Sequence, residues 1–266
     1  MFLDPTPTSG PLTADAGAAP SIGPPTTGGR SRPPFAQPPW RVSDLLLGVG
    51  GLFAAFLFAV AVVGIAEAVG ARDGDGNLWG AISTLIFEAS MAGLVLLLAR
   101  RRGIGLRELG FRRPSRWVPL PAAWISAYGV LGLYASLLAL VKALGIDVSA
   151  LDDGNPVPID ADEQVTTVVL IGVAVVVAAP FGEELFFRGL LFRGLRSYWR
   201  LVPALALSGL LFGLFHVNPS VLVPFTAIGV VLACAMERSE SLWTSIAAHA
   251  AFNSLAFGLH IAGVGT

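Results

Sequence analysis

From Trp40 onward the chain alternates long apolar runs with short polar clusters. The runs fall at 44–70, 78–99, 118–145, about 166–192, 201–217, 219–236 and 241–262. Each is close to the ~20 residues that an α-helix needs to cross the hydrocarbon core of a bilayer. Residues 201–236 are almost continuously apolar, and the break falls at Asn218-Pro219, a dipeptide that favours a turn. The pattern predicts an all-α, polytopic transmembrane helix bundle of about seven spans, with six and eight as the alternatives. Gly and Ala are frequent inside the runs, which lets helices approach closely where lipid supplies no hydrophobic drive. No internal repeat is visible.

Composition supports lipid as the solvent. Hydrophobic residues make up 54% of the 266-residue chain and charged residues only 13%, against about 25% charge in a soluble domain. A water-soluble globule of this size could not hide so much apolar surface. Cys234 is the sole cysteine, which excludes an internal disulfide and a cysteine-based metal site. The net charge of −1 argues against a nucleic-acid partner. Residues 1–39 are set apart by their prolines, mixed with Gly, Ser, Thr and Ala. Such a segment cannot bury enough to offset its ordering entropy, so 1–39 is expected to be a disordered cytoplasmic tail. It lacks the basic flank and apolar core of a signal peptide. The remainder, 40–266, is expected to form one transmembrane domain.

The charges between runs sort by sign. Arg30, Arg32 and Arg41 precede the first run, and the 100–116 loop carries Arg100, Arg101, Arg102, Arg107, Arg112, Arg113 and Arg116. In the 71–77 loop Arg72 stands against Asp73 and Asp75. The 146–163 loop holds Asp147, Asp152, Asp153, Asp160, Asp162 and Glu163 with no basic residue. The positive-inside rule then places the N-terminus and the 100–116 loop in the cytoplasm and the acidic loop outside. Arg193, Arg196 and Arg200 return the chain to the inner face.

Ionisable residues inside apolar spans cost about 2.5–3.5 kcal/mol each on insertion scales, so they are functional suspects. They are Glu88, Glu183, Glu184, Arg188, His216 and His249, with Asn253 as an uncharged companion. Glu67, Lys142 and His260 lie near span ends and can reach the interface. The densest cluster follows Pro180 and Gly182, which are expected to break or kink the helix. Glu184 and Arg188 are spaced i,i+4 and can pair on one helix face, which leaves Glu183 without that partner. A carboxylate in a low-dielectric site suits a general acid or base. Phe212 with His216, and His249 with Asn253, share helix faces at the same spacing. Neutral imidazoles can ligate a metal, orient a water or donate to an oxyanion. Glu88 lies outside these clusters and is expected to be a buried, hydrogen-bonded residue.

Glu183-Glu184-x-x-x-Arg188, Phe212-x-x-x-His216 and His249-x-x-x-Asn253, in this order on separate spans, resemble the three motifs of the CPBP intramembrane proteases. That family includes the CaaX prenyl endopeptidases and relatives linked to bacteriocin self-immunity. The resemblance covers roughly residues 165–260. It implies a hydrolase that cleaves a membrane-associated peptide or protein, with Glu183 activating water and His216 helping to hold it. His249 and Asn253 would stabilise the oxyanion, while Glu184 and Arg188 would support Glu183. Glu183, His216 and His249 could also hold a divalent metal, zinc being the natural candidate. Without HExxH spacing the sequence leaves metal-bound and Glu-activated water open. The competing reading is a non-enzymatic transporter, or an immunity-type binding protein, using the same polar cluster. A simple topology also carries a conflict of depth, with Glu183 near the inner end of its span and His216 near the outer end of the next. A helix split at Pro180-Phe181-Gly182, or a deeper or re-entrant 201–236 segment, would remove it.

Overall fold

Every apolar run becomes a helix, because a backbone in lipid can satisfy its N–H and C=O groups only within the segment itself. The computed structural model describes residues 38–70, 76–151, 154, 159 and 163–263. Residues 1–37, Arg72, Asp73 and Asp75, and Asp152, Asp153, Asp160 and Asp162 of the acidic loop lie outside the described residues. The helices are α1 (Val42–Ala68), α2 (Gly76–Arg102), the short α3 (Leu106–Leu109), α4 (Pro119–Ala143), α5 (Val165–Tyr198), α6 (Leu201–Phe215), α7 (Pro219–Ser239) and α8 (Leu242–Ile261). Among the described residues there is no strand.

The expected runs all appear as helices, and among the described residues five of them, against the seven spans expected, are long and apolar enough to cross a membrane: α1, α2, α4, α5 and α7. α6 has 15 residues, a rise of about 22 Å against a core of ~30 Å. α8 has 20 residues, and Thr244, Ser245, His249, Asn253 and Ser254 dilute its apolar character.

The arginine-rich end of the bundle is tied together by specific contacts. The Asp44 carboxylate accepts from the Arg41 backbone N–H at 2.8 Å and so satisfies a donor at the start of α1. It also accepts twice from Arg102 at the end of α2, at 2.8 Å each. The Trp40 indole donates to the Gly189 carbonyl at 3.0 Å, which anchors the entry to α1 on α5. Pro38, assigned to the tail by composition, is buried, and its carbonyl accepts from the Trp40 N–H. Arg112 pairs with Glu240 at 2.5 Å, and Ser115 N–H donates to the Ser239 carbonyl. At the opposite end Asn77 donates to Glu163, and Asn218 donates to the Gly154 carbonyl.

The tightest helix pairing is α6 on α7. A Cβ at Gly209 would lie 2.7 Å from the Thr226 carbonyl, and one at Gly213 would lie 2.7 Å from the Leu222 carbonyl. Both collisions are with backbone, so no side-chain movement relieves them. Small residues four apart thus set the distance between these helices. Gly209→Val is expected to destabilise the protein by about 1–3 kcal/mol, read as a lower melting temperature in detergent. Gly50→Ala, which points into open space, is expected to leave that temperature unchanged.

Candidate active site

The residues flanking the acidic pair do not follow a regular α-helix. α5 is one unbroken helix of 34 residues, but Ala174–Ala178 and Leu185–Phe192 are wound as π-helix. The expected split at Pro180-Phe181-Gly182 does not occur. The wider π turn already carries the Ala179 N–H back to the Ala174 carbonyl. The next donor in that register would be Pro180, which has none. The Val175 carbonyl is therefore left without a backbone donor, and Asn253 Nδ2 supplies one from α8 at 2.8 Å. The proline is accommodated by a side chain from another helix rather than by a break, as buried helix irregularities commonly are.

One helical turn further on lies the charged centre. Glu184 and Arg188 are both 0% exposed, and Arg188 Nη1 donates to Glu184 Oε1 at 2.6 Å. Arg188 Nη2 donates to the Gly229 carbonyl of α7 at 2.9 Å, and its guanidinium lies 4.5 Å from the Phe212 ring centroid. His249 Nδ1 lies 3.0 Å from the same Glu184 oxygen. Its other nitrogen, Nε2, faces Glu183 Oε2 at 4.0 Å, too long for a direct hydrogen bond. Glu184 therefore has two partners. Sequence spacing identifies Arg188; His249 lies 65 positions away on α8 and no local rule points to it.

His216 closes the α6 helix. Its Nδ1 lies 2.9 Å from the Phe212 carbonyl. A carbonyl only accepts, so Nδ1 carries the hydrogen and Nε2 presents a lone pair. The ring packs edge-on against Phe212, Phe215 and Phe225, with centroids 5.1, 5.5 and 4.5 Å away. Phe212 also meets the His249 ring at 5.8 Å. Both histidines thus flank one aromatic side chain. His216 stands two residues before Asn218, toward the end of the bundle opposite the arginines, and Phe212, one turn earlier, bridges its ring to that of His249. His216 also lines a cavity of about 850 Å³ formed mainly by α1 and α2, whose lining includes neither Glu183 nor His249.

Residues 165–255 match the family model described as type II CAAX prenyl endopeptidase, Rce1-like. This segment of the chain is similar to that family. No curated protein and no solved structure matches the chain. The match covers about a third of the sequence and falls on the region that carries the three motifs, in agreement with the family resemblance. Helices α1, α2 and α4 lie outside it.

Within the Rce1-like segment the structure brings Glu183, Glu184, Arg188 and His249 together and joins His216 to them through Phe212. Asn253 is on the same α8 face as His249, with one amide hydrogen directed to Val175. The expected ligand set of Glu183, His216 and His249 does not assemble. Among the described residues no three His, Cys, Asp or Glu side chains are grouped so as to hold a metal ion. Glu88 of α2 also reaches the site, against the expectation of a hydrogen-bonded residue. It is 4% exposed, and its Oε2 has no hydrogen-bond partner among the described residues. Its position inside an apolar span was the one signal available from sequence.

Removing Arg188 would leave Glu184 as a buried charge with only His249 for a partner. Arg188→Met is expected to cost about 3–5 kcal/mol in unfolding stability. Adding Glu184→Gln to that variant removes the stranded charge, and thermal melting should then recover part of the loss.

Proposed function

We propose that the protein is an intramembrane endopeptidase that hydrolyses a peptide bond in a membrane-associated peptide or protein. The Rce1-like match supports a CAAX-type membrane protease at the level of the family, and five long apolar helices support an integral membrane protein. The observation that carries the proposal is the Glu183–His249 pair, buried on separate helices and 4.0 Å apart. The proposal places the N-terminus and the 100–116 loop on the cytoplasmic side, on the strength of their arginines.

In this reading a water molecule is held between Glu183 and the Nε2 lone pair of His216. Glu183 takes a proton from it as the water oxygen bonds the scissile carbonyl carbon. The displaced electron pair moves onto the carbonyl oxygen. Glu184, lying between Arg188 and His249, balances the charge of a doubly protonated His249, whose Nε2–H donates to the oxyanion. The second amide hydrogen of Asn253 donates to the same oxygen. When the C–N bond breaks, the proton on Glu183 passes to the leaving amine, and Glu183 is ready for the next water.

Glu183→Gln keeps the shape of the side chain and loses the base. It is expected to lower peptide hydrolysis by at least about 10²–10⁴-fold while melting close to wild type. The assay is purified protein in proteoliposomes with a quenched fluorescent membrane peptide. Undiminished turnover would refute the assignment.

The residues as placed do not fit a three-ligand metal site, so no step above runs through a metal. A metal-assisted version of the reaction makes a separable prediction. Strong chelation would abolish activity and zinc would restore it, because ligand loss and reloading are reversible. The metal-free version predicts full activity after exhaustive chelation, with less than stoichiometric metal by elemental analysis.

A further inference from the structure

The arginine-rich end of the bundle holds a groove between α4 and α7. Its volume is about 380 Å³, and it is walled by Val118, Ala122 and Ser126 on one side and by Val230, Cys234 and Arg238 on the other. Both sets are spaced i,i+4, so each helix contributes one face. Eight residues of helix rise about 12 Å, which is the length of the groove. Its floor is Ala123 and Ala235, buried residues whose side chains end at Cβ. Larger side chains at these two positions would fill the space. Apart from Ser126, the Cys234 thiol and Arg238, the lining is apolar. It includes none of the residues of the candidate active site.

Charge stands at one end of this groove only. Arg238 is exposed in the last turn of α7 and pairs with no carboxylate among the described residues, since Glu237 is engaged by Arg196 at 3.1 Å and Glu240 by Arg112 at 2.5 Å. Arg116, also exposed, stands two positions before Val118. Trp117, Trp199 and Trp243 are exposed at the same end, and such aromatic side chains mark the depth of the lipid headgroups. An apolar trough with an arginine at its headgroup end is complementary to a phospholipid. A zwitterionic headgroup would bring its own ammonium toward Arg238, so a net negative headgroup fits better. We propose that the α4–α7 groove binds one anionic phospholipid of the adjoining leaflet, with an acyl chain lying over Ala123 and Ala235 and the phosphate accepting hydrogen bonds from Arg238. The site does not depend on the peptidase reading.

Cys234 is the sole cysteine and lines the groove, so its alkylation reads this one place. Full-length protein in neutral detergent is treated with a maleimide in the presence of phosphatidylglycerol or phosphatidylcholine, and the modified fraction is read by intact mass. Phosphatidylglycerol is expected to slow alkylation at about fivefold lower concentration than phosphatidylcholine, the effect of one arginine near an anionic headgroup. Arg238→Gln should remove that difference. Ala122→Phe, at an exposed position on the groove wall, fills the space, and neither lipid should then slow the reaction further. Native mass spectrometry should show one phosphatidylglycerol retained by the wild type and lost from Arg238→Gln. Equal potency of the two lipids on the wild type, an undiminished preference in Arg238→Gln, or alkylation that no lipid slows would each overturn the proposal. Protection that rises with protein concentration in lipid-free detergent would also overturn it and assign the groove to a second copy of the chain. If the thiol does not react, lipid retention alone decides.

Discussion

A carboxylate with no exposure to solvent sits at the centre of this bundle, and the surrounding structure is arranged around its charge. Glu184 is held by Arg188 from its own helix and by His249 from α8. Arg188 also donates to the Gly229 carbonyl on α7 and lies over the face of Phe212 on α6, while its Nε has no hydrogen-bond partner among the described residues. Desolvating one charge is expensive and desolvating several is tolerated only when each has partners. This requirement draws α5, α6, α7 and α8 to one point, and the packing of Gly209 and Gly213 on α7 makes the approach sterically feasible.

The same constraint explains why α5 is irregular where it matters. A regular helix would carry Glu183 and Glu184 with a fixed rotation relative to the turns before and after them. The two π segments change that rotation on either side of the pair. Pro180 lies between the first π turn and the carboxylates and leaves the Val175 carbonyl to Asn253. Asn253 and His249 therefore attach α8 to α5 at two levels, one neutral and one charged. Such contacts fix the orientation of the His249 ring with respect to Glu183, and precise placement of acid–base groups is what a hydrolytic site requires.

His216 shows how a polar group can be held in an apolar setting without a charge partner. His216 uses the carbonyl of its own helix and three phenylalanine rings. This arrangement fixes the tautomer and leaves one nitrogen available.

The sequence by itself determined the all-helical, membrane-type architecture, the turn at Asn218-Pro219, the Glu184–Arg188 pair and the identity of the polar residues to watch. All of these follow from composition, run length or i,i+4 spacing, which are local. Only the tertiary structure decided that α5 bends its hydrogen-bond register instead of breaking, that Phe212 links His216 to His249, and that His249 binds Glu184. It also placed Glu88 against Gly182. Each of these depends on which helices are neighbours and how closely they approach. That is set by steric fit between backbones and by the need to pair buried charges across helices. No periodicity along a single chain segment encodes it.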